Sequence, residues 1–376
     1  MLITRAGLIA GLVAGAVALT ACGSDSNSSS TSTQGAGGGS SSSSSTGSSS
    51  CATGSLKAEG STAQKNAMDQ WISDYQAQCS GATITYNGTG SGAGVSNFIA
   101  KQDNFVGSDS ALDPKKDEPS KAQAACGSAA IDLPMVVGPI AIAYKLNGVT
   151  GLTLTPPVLT KIFLGKITSW NDPAIKAINS GANLPSTKIT VFYRSDSSGT
   201  TQNFERYLAA NDPTDFTSKP DKDSSKAGFA GQGKTGSQGV QQAISSTEGG
   251  LGYVEWSYAV SGNLSTAKID NGAGAVELTA DSAGAAVAAA KTAPNGPGDL
   301  SLKLDYATKA SGAYPIILVT YEIVCSKYSD ANIGKQVKAF LGYTAATGQD
   351  KLKDLGYAPL PDSIKTQVQA AINGIS

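Results

Sequence analysis

Short runs rich in β-branched and aromatic residues alternate with longer runs of helical spacing along most of this chain, and that alternation limits it to an α/β fold. The β-rich runs are 82–87, 105–108, 135–146, 188–193, 252–256 and 315–325, with a further short strand leading into Glu59. Helical spacing holds over 63–78, 95–102, 115–125, 157–164, 202–210, 240–246, 282–291, 333–341 and 364–372. This order predicts a mostly parallel sheet. In open sheets of that kind ligands bind beyond the carboxyl ends of the strands, so chemistry is expected in the loops that follow strands.

Four such loops share one composition: small hydroxyl residues and glycine where a helix begins. They are Glu59-Gly60-Ser61-Thr62, then Asn87-Gly-Thr-Gly-Ser91-Gly-Ala-Gly94, then Ser108-Asp109, and Arg194-Ser-Asp196-Ser-Ser198-Gly199-Thr200. Helix starts carry free N–H groups and the positive end of the helix dipole, and glycine lets a backbone approach an anion closely. A single loop of this kind is an ordinary helix cap; four together point to an oxyanion site. The chain holds only three arginines, Arg5, Arg194 and Arg206, and Arg194 lies at the mouth of the last loop. A forked guanidinium beside a helix start suits a tetrahedral oxyanion.

Composition removes other chemistries. With no histidine, Ser-His-Asp and Cys-His catalysis, histidine metal sites and histidine pH switches are all excluded. There is no Gly-x-Ser-x-Gly elbow. Without residues 1–21 the chain loses only Arg5, leaving 27 basic against 29 acidic side chains from the original 28 and 29, with no basic stripe for nucleic acid. No cofactor or metal is expected.

The N-terminus reads as an export signal: Arg5, an apolar core from Ala6 to Leu19, then Leu19-Thr-Ala-Cys22, which resembles a bacterial lipobox with Cys22 as the acylated residue. That core is short for a membrane span, which takes ~20 apolar residues. Residues 22–50 are mostly Ser, Gly, Thr and Asn, a flexible tether with an r.m.s. span of roughly 30 Å. Outside the cytoplasm the remaining four cysteines, Cys51, Cys79, Cys126 and Cys325, suggest two disulfides with three possible connectivities.

Two motifs mislead. Gly228-Phe-Ala-Gly-Gln-Gly-Lys-Thr235 matches a nucleotide P-loop, but no buried strand precedes it and Gly236 is a poor helix start, so it reads as a mobile surface loop. Gly88-x-Gly90-x-x-Ala93, with Asp109 about 20 residues on, imitates a dinucleotide fingerprint, but the segment between is short for a crossover helix.

From about Gly54 onward the chain resembles the phosphate-specific solute-binding proteins of bacterial Pst-type ABC transporters. The resemblance rests on seven stretches in order. The first four are Gly60-Ser-Thr62 leading to Trp71, Gly88–Gly94, Val106–Leu112 and Phe163-Leu-Gly-Lys-Ile-Thr-Ser-Trp-Asn-Asp-Pro173. Arg194–Thr200, Gly250-Leu-Gly-Tyr-Val-Glu255 and Tyr357-Ala-Pro-Leu-Pro-Asp362 complete them. It implies a two-lobed, class II periplasmic-binding-protein-like α/β fold that closes at a hinge. Residues 51–140 would form the first part of lobe 1, 141–305 lobe 2, and 306–376 the return to lobe 1.

The resemblance also implies a phosphate site of Thr62, Ala63, Ser91, Asp109, Arg194, Ser198, Gly199 and Thr200, with Asp196 orienting the arginine. Ala63 stands where many members carry Phe; because that position contributes its backbone N–H, Ala serves. Asp109 would accept the proton that phosphate carries and sulfate lacks, so the two acids count against a receptor for sulfate or molybdate. A secreted phosphatase or serine hydrolase is the remaining alternative. The expectation is a monomeric, non-enzymatic phosphate receptor, lipid-anchored at the outer face of the cell membrane and delivering to permease subunits.

Overall fold

The computed structural model describes residues 51–288 and 290–376. The signal segment 1–21, Cys22 and the tether 22–50 lie outside the described residues.

A nine-stranded sheet organises the molecule. Its order is Ala82–Gly88, Gly54–Gly60, Phe105–Ser108, Ile317–Cys325, Ala130–Tyr144, Gly250–Glu255, Thr190–Arg194 and Gln232–Lys234, with Ser265–Thr266 paired on Ala130–Tyr144 beside the main path. The sheet is mixed, not mostly parallel. Parallel pairs stand at its two flanks, and antiparallel pairs fill the middle. The cause is two long strands, Ala130–Tyr144 and Ile317–Cys325, that run side by side through the centre. Helical crossovers build the parallel flanks, whereas these central strands reverse direction.

Ala130–Tyr144 changes partner along its length. Residues up to Pro139 pair with Ile317–Cys325, and from Ile140 on the strand pairs with Gly250–Glu255. One strand thus joins two sub-sheets, each flanked by its own helices. The strand is buried from Ile131 to Tyr144, as a near-continuous apolar run requires when both faces are covered.

The helices bury the faces that their spacing predicts. In Lys65–Gln78, Ala67, Met68, Trp71 and Tyr75 line one side and are buried. Trp71 donates its indole N–H to the Gly348 carbonyl at 2.6 Å, which satisfies its one polar atom inside the core. Disulfides join Cys51 to Cys79 and Cys126 to Cys325, which resolves the pairing that the sequence leaves open. Among the described residues no helix is long and apolar enough to cross a membrane.

Candidate functional site

The carboxyl ends of the strands converge. Thr62 follows Gly54–Gly60, Ser91 follows Ala82–Gly88, Asp109 follows Phe105–Ser108, and Arg194 ends its own strand. All four are buried. A fifth loop joins them: Gln232–Lys234 is a strand, and the helix Gly236–Ser246 starts directly after Thr235. The 228–235 segment, read from sequence as a mobile surface loop, is largely exposed but carries an edge strand of the sheet, and it leads directly into Gly236 and Ser237. A P-loop needs its strand before the first glycine; here the strand lies inside the motif.

Arg194 is 2 % exposed and held by a fork-to-fork pair with Asp196: Nε donates at 2.7 Å and an Nη at 2.5 Å. Its other Nη donates to Ser237 Oγ at 3.1 Å and to Thr200 Oγ1 at 3.4 Å. Burial alone would pull the guanidinium down, but hydrogen bonding and charge from Asp196 outweigh it and raise Arg194 above its usual range. Burial pushes Asp196 up, and the Arg194 hydrogen bond and charge reverse this, holding it below the usual carboxylate range. Ser237 Oγ also lies 2.8 Å from Thr62 Oγ1, and the Thr200 hydroxyl donates to Glu255. Ser237 and Glu255 are site residues beyond those named from the sequence. Thr235-Gly-Ser237 has the same hydroxyl-and-glycine signal as the other four loops, and Glu255 closes one of the seven family stretches.

Asp109 is the second focus. Its Oδ1 accepts from Ser61 and, at 2.8 Å, from Thr320; its Oδ2 accepts from Ser91 at 3.0 Å. Three hydroxyl donors occupy three of roughly four acceptor positions on a carboxylate. Burial pushes the Asp109 carboxyl up to about 6, against the Ser61 hydrogen bond and with help from the Glu255 charge. Thr320 reaches this point from mid-strand, where the pairing shifts register between Thr320 and Tyr321. No spacing rule singles out a threonine in a strand, so sequence reading misses it.

Two helix starts press together here. Ser198 caps Gly199–Asn211 by accepting from the Thr201 N–H at 3.2 Å. A Cβ on Gly199 would sit 2.6 Å from Asp109 Cβ and 2.7 Å from Ser91 Oγ, so only glycine fits. Gly90 has φ 97°, and a Cβ there would meet Asp196 Oδ2 at 2.8 Å. The Ala63 N–H donates to Ser61 Oγ at 3.0 Å. Every residue predicted for the site thus lies in one cluster: Thr62, Arg194, Asp196 and Thr200 on the arginine side, Ala63, Ser91, Asp109, Ser198 and Gly199 on the Asp109 side. Among the described residues no group of three or more His, Cys, Asp or Glu side chains could hold a metal ion.

Known proteins resemble this chain in sequence and fold. The family model described as a PBP superfamily domain matches residues 45–347. Phosphate-binding protein PstS 3 of Mycobacterium tuberculosis is 44% identical over 381 residues, covering 100% of both chains. Phosphate-binding protein PstS 2 of the same organism is 44% identical over 376 residues, covering 97% of each. A solved structure of a high affinity periplasmic phosphate-binding protein with bound phosphate superposes with a TM-score of 0.67 at 23% identity, covering 84% of this chain and 93% of that one. The chain therefore has the two-lobed periplasmic-binding-protein fold, and it belongs to the PstS family within the PBP superfamily.

Proposed function

We propose that this chain is an extracytoplasmic receptor that captures inorganic phosphate and passes it to the permease of an ABC transporter. The observation that carries the reading is the pairing, in one buried cluster at the carboxyl ends of the strands, of a guanidinium with a carboxylate that has an acceptor position to spare. The guanidinium, the amides of the helix starts and the hydroxyls of Thr62 and Ser198 supply donors to phosphate oxygens, and the Ser91 and Thr200 hydroxyls, which here donate to Asp109 and Glu255, would turn to the ligand to join them. Asp109 takes the ligand's own proton. Sulfate brings no such proton, so it would set acceptor against acceptor in a buried site.

The lobes we propose are 51–140 with 306–376, and 141–305. The switch of partners along Ala130–Tyr144 between Pro139 and Ile140 supports that division. Contacts such as Thr62 with Ser237, and Gly92 N–H with the Ser197 carbonyl at 3.1 Å, then join one lobe to the other in a closed form. The resemblance of Leu19–Cys22 to a lipobox supports an anchor on the outer face of the membrane through Cys22. We also propose a monomer without catalytic turnover.

Titration calorimetry with phosphate, arsenate and sulfate tests the reading, beside incubation with a chromogenic phosphomonoester. Phosphate and arsenate should bind at one site per chain, sulfate should not, and the ester should stay intact. Tighter binding of sulfate than of phosphate would overturn it.

A further inference from the structure

Beside Asp109 lies a cavity of about 800 Å³ whose lining does not include Arg194. Its walls come from the Asp109–Glu118 segment, the helix Gly199–Asn211, the 219–222 loop and the 293–306 segment. That volume is the size of a small-molecule site and far larger than a single tetrahedral ion needs. Six cationic side chains line it: Lys115, Lys116, Arg206, Lys219, Lys222 and Lys303.

Most of these cations lack a carboxylate. Of the six, only Lys116 is within ion-pair distance of an acid, Asp221 at 3.7 Å, among the described residues. Asp221 is shared with Lys226 at 3.3 Å. Glu118, another wall residue, accepts from the Asp113 N–H at 2.8 Å. Arg206 is half-buried, and its nearest hydrogen-bond partner is Ser110 Oγ at 3.5 Å.

Lys222 is the decisive residue. It is 5 % exposed, and its Nζ has no hydrogen-bond partner among the described residues. An ammonium buried without a partner costs several kcal/mol unless something neutralises it. Burial pulls its pKa down, and the charges acting on it, Glu118, Lys116, Asp109 and Arg206, are themselves cavity-lining groups. Its backbone is not free to relax, because the Lys222 carbonyl accepts the N–H of Ser198 at 2.9 Å. The lysine is therefore held in place with no hydrogen-bond or ion-pair partner for its Nζ among the described residues.

We propose that this cavity is a second anion site, taking a small multiply charged phosphorylated anion on Lys222 Nζ and Arg206 while the Arg194 cluster holds its own ligand. The two sites share the Asp109–Ser110 turn and the start of the Gly199 helix: Ser110 Oγ donates to Gln202 Oε1 at 2.7 Å, and Asn203 Nδ2 donates to the Asp109 carbonyl at 2.7 Å.

The test uses the full chain preloaded with one equivalent of inorganic phosphate, titrated in separate calorimetric runs with pyrophosphate, tripolyphosphate and glycerol 3-phosphate. At least one of the three should bind with a stoichiometry of one, weakening as salt rises. Lys222→Gln should weaken that event about tenfold or more, as expected when one member of a desolvated charge pair is removed. Arg206→Gln should weaken it in the same direction and serves if the first variant does not fold. Inorganic phosphate titrated into each variant reads the Arg194 cluster separately, so failure of that site and failure of this one are distinguishable. Absence of a second event with all three probes would overturn the proposal. So would a second event left unchanged by both substitutions, or one that survives in neither but also vanishes in Arg194→Ala alone.

Discussion

Replacing Asp109 with Asn removes one charge and little else. The amide keeps an oxygen for Ser61 and Thr320, and its nitrogen faces Ser91 Oγ across the 3.0 Å that Oδ2 now spans. The carboxyl titrates at about 6 in the fold, against an ordinary value of 3.8, chiefly because it is buried. A folded pKa above the unfolded one means that the native state binds more protons between pH 3.8 and about 6. Stability from this group is therefore fully present below that window and is lost as pH rises through it. The gap, at ~1.36 kcal/mol per pH unit, amounts to ~3 kcal/mol by neutral pH. Glu322, raised to about 8 mainly by burial and further by the charge of Asp109, should gain part of the same relief. The ligand-free Asp109→Asn variant should thus match the parent near pH 4 and exceed it by up to ~3 kcal/mol at about pH 7.5, roughly 4–5 °C in melting temperature for a domain of this size. Urea titrations at both pH values measure it. A difference that does not grow between them would refute the assignment of the pKa to Asp109. Binding supplies a second readout. The parent should exclude sulfate by ~10³ or more at about pH 7.5, and less below about pH 6 as Asp109 takes a proton. The variant should lose that exclusion at both. Sulfate still rejected by a variant that binds phosphate would show that selectivity lies elsewhere.

Arg194→Ala should cost ~2–5 kcal/mol of phosphate affinity by calorimetry, because it removes the one full positive charge and strands Asp196; a loss under ~0.5 kcal/mol would put the arginine outside the site. Ser237→Ala deletes the hydroxyl shared by Thr62 and Arg194, and phosphate affinity should fall by ~0.5–1.5 kcal/mol with little change in the melting temperature of the ligand-free protein. Replacing Cys126 and Cys325 by Ser opens a link between residues 199 apart, and urea unfolding should register a loss of about 2–5 kcal/mol, which reduction should fail to deepen at that bridge.

The sequence carries the helix starts well because their chemistry is local. A strand followed by Gly, Ser and Thr has few structural options, and Ser91 and Ser198–Thr200 stand where that rule puts them, while Ser61-Thr62 lie in the turn just before a helix that Gln64 begins. Predicted and observed elements mostly differ by a few residues at their ends; the 105–108 strand coincides. What escapes is non-local. Thr320 meets Asp109 across a gap of 211 positions, through a register shift that has no signature in its neighbours. Ser237 escapes for a different reason: its loop carries the right residues, but a strand of three, Gln232–Lys234, is too short and polar to be seen as one. The mixed sheet is also hidden, since alternation of strand and helix says nothing about strands that return antiparallel through the centre.

The charges in the cluster bear on why it would favour a protonated anion. Arg194 is answered by Asp196 alone, yet Glu255 and Asp109 lie within the same buried group, so one cation faces three carboxyls. A fully deprotonated dianion entering such a place meets net repulsion that helix dipoles and hydroxyls must offset. An anion that still carries a proton turns one of those carboxylates from an opponent into a partner, because the proton can be shared between ligand oxygen and Asp109. Excess acid, which would weaken a general anion trap, would then make this one selective. On that argument Glu255 matters too: its hydroxyl partner Thr200 donates to it, leaving the Arg194 guanidinium with Thr200 Oγ1 at 3.4 Å and Ser237 Oγ at 3.1 Å as its only hydrogen-bond partners besides Asp196 among the described residues, and so with capacity for a ligand oxygen.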